Sequence, residues 1–292
     1  MVDPGARVGV VIVTYNSADD IEPCLESVRS ASARPLQVVV VDNASTDGTP
    51  NLVRDAFPEA TLLTNSTNRF YAAANNQGLA VAGGEYVLLL NPDVLLPVGG
   101  IDALVRELNA HPDCVAIAPK LIDPRGRRQA SLREFPGFDT LWFDLLGLSL
   151  LFPKSPRFGR WRMGWFDGAT SRRVDQPMAS CLLIRRGAIA EIGLFDERYP
   201  MFFNDVDWCR RVADRGWGIW YTADVAARHR GGASTRQAKI RMIWMAHTAY
   251  LRYLRQYHCP HAGHRLLLWL SVPPVYLAAM LRSVWWRLRS LW

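Results

Sequence analysis

Five short apolar runs, Val8–Thr14, Leu36–Asp42, Ala60–Thr64, Tyr86–Asn91 and Val115–Ala118, recur through the first 120 residues with helix-like stretches between them. Most are continuous rather than alternating, the pattern of strands buried on both faces. Such strands, separated by helices, predict βαβ units and a Rossmann-like, mostly parallel central sheet flanked by helices, an α/β fold. Ser17, with Asp20 three residues on, predicts a helix cap for the stretch to Ala31, and Asp47-Gly48-Thr49 opens the next helix.

From Lys120 to Gln176 the periodicity fades and Pro, Gly, Arg and aromatic residues accumulate, which reads as a loop-rich insertion. A second ordered block follows, with strands near Met178–Ile184 and Gly218–Thr222 and a helix near Asp205–Arg215. Another helix is expected from about Thr235 to Tyr257. With no internal repeat, both blocks are expected to share one globular unit.

The net charge of +7 conceals an asymmetry. Eleven of the 34 basic residues follow Val225 and no acidic residue follows Asp224, leaving 23 basic against 27 acidic residues in the body. A basic tail on a mildly acidic body predicts contact with a polyanionic surface. Cys24, Cys114, Cys181, Cys209 and Cys259 form no Cys-x-x-Cys pair, which fits a reducing compartment, and the N-terminus shows no secretory signal.

The usual phosphate-binding devices are missing: there is no Gly-x-x-x-x-Gly-Lys-Ser/Thr and no Gly-x-Gly-x-x-Gly after the first strand. Instead the strand ends carry amides and carboxylates, at Thr14-Tyr15-Asn16, Asp42-Asn43 and Asn91-Pro92-Asp93. In an open parallel sheet these ends line the ligand crevice. Five blocks then occur in order: Val-Ile-Val-Thr-Tyr-Asn-Ser at 11–17, Val-Val-Asp-Asn-Ala-Ser-Thr-Asp-Gly-Thr at 40–49, Ala-Asn-Asn-Gln-Gly at 74–78, Leu-Leu-Leu-Asn-Pro-Asp at 88–93 and Phe-Phe-Asn-Asp-Val-Asp-Trp-Cys-Arg-Arg at 202–211. Over about residues 8 to 235 the chain resembles the family 2 glycosyltransferases of GT-A fold, in particular the rhamnosyltransferase branch.

The resemblance implies a transferase domain over 1–235, with a nucleotide-binding part to about 120 and an acceptor-side part beyond, followed by a tail over 236–292. It implies a nucleotide-sugar donor held by Thr14, Tyr15, Asn16, Asp42, Asn75, Asn91 and Asp93. Asp93 corresponds to the final acid of the family's Asp-x-Asp motif, which holds Mg²⁺ or Mn²⁺ against the diphosphate, and Asn91 stands at the first acid. His229 matches a position that often adds a metal ligand, and Arg228 and Arg230 are candidate phosphate contacts. Asp205 is the implied catalytic base, with Asn204 where relatives carry Glu; Asp207 reads as the cap of that helix, Asp47 as another cap, and Asn75 and Asn76 as either donor contacts or helix-face residues. Phe70 stands where relatives commonly have Gly, so the loop path is expected to differ there. One base without a carboxylate nucleophile implies direct displacement with inversion, with dTDP-rhamnose as first donor and a saccharide or polyprenyl-linked saccharide as acceptor in cell-surface polysaccharide synthesis.

The uncharged run Leu266–Leu281, broken by Pro273-Pro274, is shorter than the roughly 20 residues a bilayer span needs. Arg265, Arg282, Arg287 and Arg289 flank it, and Trp269, Trp285, Trp286 and Trp292 suit the headgroup level. The tail is therefore expected to lie on an anionic membrane surface, peripheral or monotopic at the cytoplasmic face, rather than on nucleic acid. A core helix pair or dimer interface stays open for it, as do a nucleotide-binding protein without catalysis and a basic surface adaptor for the whole chain.

Overall fold

The computed structural model describes residues 8–231 and 239–289. The strands β1 (Val8–Thr14), β2 (Leu36–Asp42), β3 (Thr61–Thr64) and β4 (Tyr86–Leu90) follow the apolar runs. They are joined by α1 (Ala18–Ser30), α2 (Thr49–Ala56) and α3 (Phe70–Val81) and pair in parallel, in the order β3-β2-β1-β4. Successive side chains of a strand point to opposite faces. Val10 and Ile12 accordingly enter a layer with Ile21 and Leu25 of α1 and with Leu104 and Leu108 of α4 (Gly100–Ala110). Val11, between them, enters the opposite layer with Ala72 and Ala74 of α3 and with Trp208 and Val212 of α8 (Asn204–Asp214). Helix α3 lies so close that a Cβ on Gly78 would sit 2.3 Å from Cγ1 of Val11.

Beyond β4 the sheet is mixed. The strand β10 (Cys181–Arg185) runs antiparallel between β4 and β6 (Cys114–Ile122), and β11 (Gly218–His229) lies parallel to β6. Short strands β5 (Val94–Leu95) and β8 (Arg172–Val174) flank β11, while β7 (Leu132–Arg133) and β9 (Gln176–Pro177) form a separate ribbon. Between β10 and α8 lies the short helix α7 (Arg186–Ile192). Strand β11 runs past the expected end at Thr222, with an irregularity between Thr222 and Ala226 that re-registers it against β6 and carries His229 to Val94 of β5. The expected loop-rich insertion also contains helices α5 (Phe138–Leu145) and α6 (Leu148–Leu151), in a stretch dense in Leu and Phe.

The C-terminal residues form α9 (Lys239–Tyr257) and α10 (Ala262–Arg289). The expected start at Thr235 and the aromatic anchor Trp292 lie outside the described residues. Contrary to the expected break, α10 continues through Pro273-Pro274, giving up two backbone donors while packing along α9. Ala249, Tyr250, Tyr253 and Leu254 of α9 and Val275 of α10 share a third apolar cluster with Leu141, Tyr199, Phe203 and Val206. Asp207 is not the cap of α8 but a tie to α9. Its buried carboxylate accepts hydrogen bonds from Arg211 Nε at 2.9 Å, Gln256 Nε2 at 3.0 Å and the Tyr257 hydroxyl at 2.7 Å.

Candidate active site

Register aligns the strand ends: Thr14 pairs with Asp42, and Asp42 with Thr64, so the loops that follow leave one edge of the sheet together. There Asp42 is buried and held from both sides. Its Oδ1 accepts from the Thr14 hydroxyl at 2.8 Å and the Ser45 hydroxyl at 2.6 Å, and its Oδ2 from the Ser45 amide at 2.9 Å. Asn16, in the left-handed region at φ 48°, donates its amide to Ser45 Oγ and accepts the Thr46 amide on Oδ1, both at 2.8 Å. Tyr15 is half-buried beside it, its amide 3.3 Å from Ser17 Oγ. The loop after β2 is thus fastened to the loop after β1.

The same fastening changes the expected helix cap. Ser17 makes no side-chain cap bond to α1; Asp47 does, accepting the Ala18 amide on Oδ2 at 2.9 Å. Its Oδ1 takes the Thr49 amide and hydroxyl at the start of α2. One carboxylate therefore serves two helix starts, where free amides favour negative charge. Burial works against the charge of Asp47, but these bonds outweigh it and hold the carboxyl below its ordinary range.

A second cluster surrounds Asp93. His229 Nδ1 lies 2.7 Å from Gln129 Oε1, and Gln129 Nε2 donates to the His229 carbonyl at 2.7 Å. Because the Gln129 amide nitrogen is committed to that carbonyl, its oxygen must accept, which puts the imidazole proton on Nδ1. The lone pair of Nε2 then faces Asp93 Oδ1 at 3.4 Å. Asp93 Oδ2 accepts the Gly231 amide at 3.0 Å. Burial raises the Asp93 carboxyl; when the ring also carries a proton on Nε2, its hydrogen bond and charge, together with the Gly231 amide, prevail and bring the carboxyl below its ordinary value.

With the ring neutral, a carboxylate oxygen and an imidazole nitrogen that face each other can share a cation between them. Ligands about 2.1 Å from Mg²⁺ at right angles stand about 3 Å apart, so the pair fits such an ion. Among the described residues no group of three or more His, Cys, Asp or Glu is arranged to hold a metal, so the remaining ligands must come from elsewhere, as the diphosphate of a donor can supply.

Arg230 reaches across to Asp20 of α1, Nη2 to Oδ2 at 2.5 Å. Burial raises the Asp20 carboxyl, Arg230 opposes this and the nearby Asp93 charge adds to it, leaving it above its ordinary value. Arg228 is exposed and, one residue before His229 on β11, points to the other face of the strand. Asn75 is buried within α3 and donates to the Tyr71 carbonyl at 2.8 Å. Its neighbour Asn76 exchanges bonds with the Phe195 backbone, as a helix-face residue.

Asp205 occupies the first turn of α8. Its Oδ1 accepts the Val206 amide at 2.9 Å, its Oδ2 accepts Gln176 Nε2 at 3.0 Å, and the Ala179 amide also donates to it. Burial raises its pKa; these donors and the Arg133 charge only partly offset the rise. A carboxylate held above its ordinary range is better suited to accept a proton near neutral pH. Asn204 is buried and donates to the Tyr199 carbonyl at 3.1 Å, bracing the turn before α8.

The Asp93 and Asp205 regions adjoin. Ser180 follows Ala179 and accepts the Asn91 amide at 2.8 Å, while the Tyr71 hydroxyl donates to the Ala179 carbonyl at 2.7 Å. Residues 179–180 thus touch Asp205 on one side and the Asn91-Pro92-Asp93 turn on the other. Phe70 lies in the left-handed region at φ 64°, a conformation that glycine would favour. Asn68 Oδ1 accepts its amide, Asn43 Nδ2 donates to its carbonyl, and the Arg241 guanidinium of α9 stacks 4.6 Å from its ring centre. Sequence reasoning read Asp20 only as part of a cap pattern and missed Gln129 and Gln176, neither of which lies in a recognisable block.

Residues 9–168 match the family model described as glycosyl transferase family 2. Over 237 residues the chain is 33% identical to the N-acetylglucosaminyl-diphospho-decaprenol L-rhamnosyltransferase of Mycobacterium tuberculosis, covering 77% of this chain and 76% of that protein. Among solved structures, a mannosyltransferase from Pyrobaculum calidifontis, in complex with GDP-Man and Mn²⁺, superposes with a TM-score of 0.58 at 22% identity, over 97% of this chain and 76% of that one. GalNAc-T7 with UDP, GalNAc and Mn²⁺ gives 0.59 at 13% identity, over 86% and 48%. At these identities the likeness is one of fold, the GT-A arrangement expected from the sequence.

Proposed function

The chain belongs to glycosyl transferase family 2, and from that membership we propose that it moves L-rhamnose from dTDP-rhamnose to a polyprenyl-diphosphate-linked saccharide, inverting the anomeric centre. The donor and acceptor classes are supported by the mycobacterial relative, whose name describes rhamnosyl transfer onto a decaprenol-linked sugar. The observation that carries the chemistry is the bridge at residues 179–180, which joins Asp205 to the turn bearing Asp93.

In this reading Thr14, Tyr15, Asn16 and Asp42 form the rim that receives the nucleoside, with Asn91 at the diphosphate side. Asp93 and His229 would hold a divalent cation, Mg²⁺ or Mn²⁺, which when bound would supply positive charge against the departing diphosphate. Arg230, now on Asp20, is within reach of the same region, and Arg228 offers a further cation nearer solvent. Asp205 takes the proton of the acceptor hydroxyl as its oxygen attacks the anomeric carbon, and Gln176 keeps one carboxylate oxygen oriented. No second carboxylate nucleophile is needed, so one displacement inverts the configuration.

The division at about residue 235 separates the transferase domain from a basic hairpin that meets the cytoplasmic face of the membrane. By length and composition α10 could cross a bilayer. Its packing along α9 and its Arg-rich ends favour lying on the surface instead. A donor panel with Asp205→Asn tests the assignment: transfer is expected to fall by about 10²–10⁴-fold while nucleotide binding persists. Unimpaired transfer by this variant would refute Asp205 as the base.

A further inference from the structure

The hairpin of α9 and α10 has two different faces. Ser271, Val275, Ala279 and Ser283 recur at four-residue spacing and are buried, while Leu266, Leu270, Leu277, Leu281 and Leu288 remain 52–61% exposed on the other side. At the closed end of the hairpin a cleft of about 650 Å³ opens between the helices, lined by Arg252, Arg255, Arg265, Trp269, Val272 and Tyr276 among others. Arg252 is partly engaged, donating to the Arg198 carbonyl. Arg255 and Arg265 make no ion pair with the described residues, and no acidic residue follows Asp224 to neutralise them. Both charges act on the Cys259 thiol, which also lines the cleft.

Like charges gathered around one cavity repel unless an anion joins them, and an apolar wall beside them suits an anion that carries hydrocarbon. We propose that this cleft is a binding site for the phosphate of an anionic phospholipid, gripped by Arg255 and Arg265, with its acyl chains passing over Trp269 onto the exposed face of α10. Trp269 belongs to both surfaces: it lines the cleft and is 74% exposed, the boundary position that tryptophan favours between headgroups and hydrocarbon. The proposal rests on the reading that the hairpin meets a membrane, and adds to it a defined headgroup site in place of diffuse attraction.

The test uses the full chain with vesicles of phosphatidylcholine alone and with a fifth of phosphatidylglycerol, at fixed salt. Arg255→Gln/Arg265→Gln is compared with Arg287→Gln/Arg289→Gln, which removes the same charge from the far end of α10. The cleft variant is expected to lose at least tenfold of the gain that phosphatidylglycerol confers, and the far-end variant less than threefold. Monomeric dihexanoyl-phosphatidylglycerol should bind the wild type saturably by calorimetry, and dihexanoyl-phosphatidylcholine or inorganic phosphate should not. Equal losses in the two variants, or equal binding of inorganic phosphate, would overturn the site. Equal binding of wild type to both vesicles would overturn it while leaving membrane attachment intact; binding to neither would overturn both.

Discussion

Gln129 and His229 hold each other by two hydrogen bonds of 2.7 Å, one through the imidazole Nδ1 and one through the His229 carbonyl. The glutamine thereby sets the tautomer and aims Nε2 at Asp93. Outer partners of this kind typically alter metal affinity by about 10–100-fold. Gln129→Leu is therefore expected to raise the Mn²⁺ or Mg²⁺ concentration for half-maximal activity by a factor in that range. A metal titration of initial rates checks this, and an unchanged midpoint would show that His229 is not a ligand.

Asp205 should give activity a pH limb above the ordinary carboxylate range, with rate rising as the group ionises. Gln176 donates to the ionised form, so Gln176→Leu should move that limb to higher pH. The pH dependence of kcat/KM is the measurement, and a limb that moves down or stays fixed contradicts the assignment.

The same shift has a consequence for stability. A folded-state pKa above the unfolded value means the native state binds the proton more tightly, so the associated stability is full at low pH and lost as pH rises through the folded pKa. Asp205→Asn is expected to melt at a higher temperature than wild type at pH 7, and the difference should shrink at acid pH, where wild type is also neutral. Calorimetric scans across pH decide it; a lower melting temperature at pH 7 goes against the prediction.

Phe70 inverts the usual ranking of small residues. Glycine is ordinarily worse than alanine in folded structure by roughly 0.5–1 kcal/mol, but a left-handed non-glycine residue carries a strain of about 1–2 kcal/mol. Phe70→Gly should therefore unfold at higher urea concentration than Phe70→Ala, by about 1 kcal/mol in stability. The reverse order would mean that the φ of 64° is not retained in solution.

Asp207 is the clearest structural carboxylate. Asp207→Ala removes an almost fully buried charge and strands Arg211, Gln256 and Tyr257 together, so a loss of about 3–5 kcal/mol is expected. Tyr257→Phe, which removes one hydrogen bond, should cost only about 1 kcal/mol. Urea unfolding of both variants measures the pair.

Much of the fold was legible because continuous apolar runs leave little choice: the bounds of β1 and β2 coincide with Val8–Thr14 and Leu36–Asp42. Asp42, Asp93 and Asp205 stand out because each lies in an ordered block. Their partners do not. Gln129 serves His229 from 100 residues away and Asp20 meets Arg230 across 210, so their roles are created by the sheet and leave no local pattern. The Ser17 cap failed for a similar reason: Asp47, 29 residues from Ala18, took the exposed amide. Asp207 was read locally as a cap because its partners Gln256 and Tyr257 lie on a helix that begins beyond the body.

Asp205 and Asp207 are two positions apart on α8, roughly 200° around its axis by ordinary helix geometry. One points to the proposed chemistry and the other moors the C-terminal hairpin. A force on the hairpin would therefore reach the same rod that carries the proposed base, and trimming the chain back to residue 235 would leave the Asp207 carboxylate with Arg211 alone, its ties to Gln256 and Tyr257 gone.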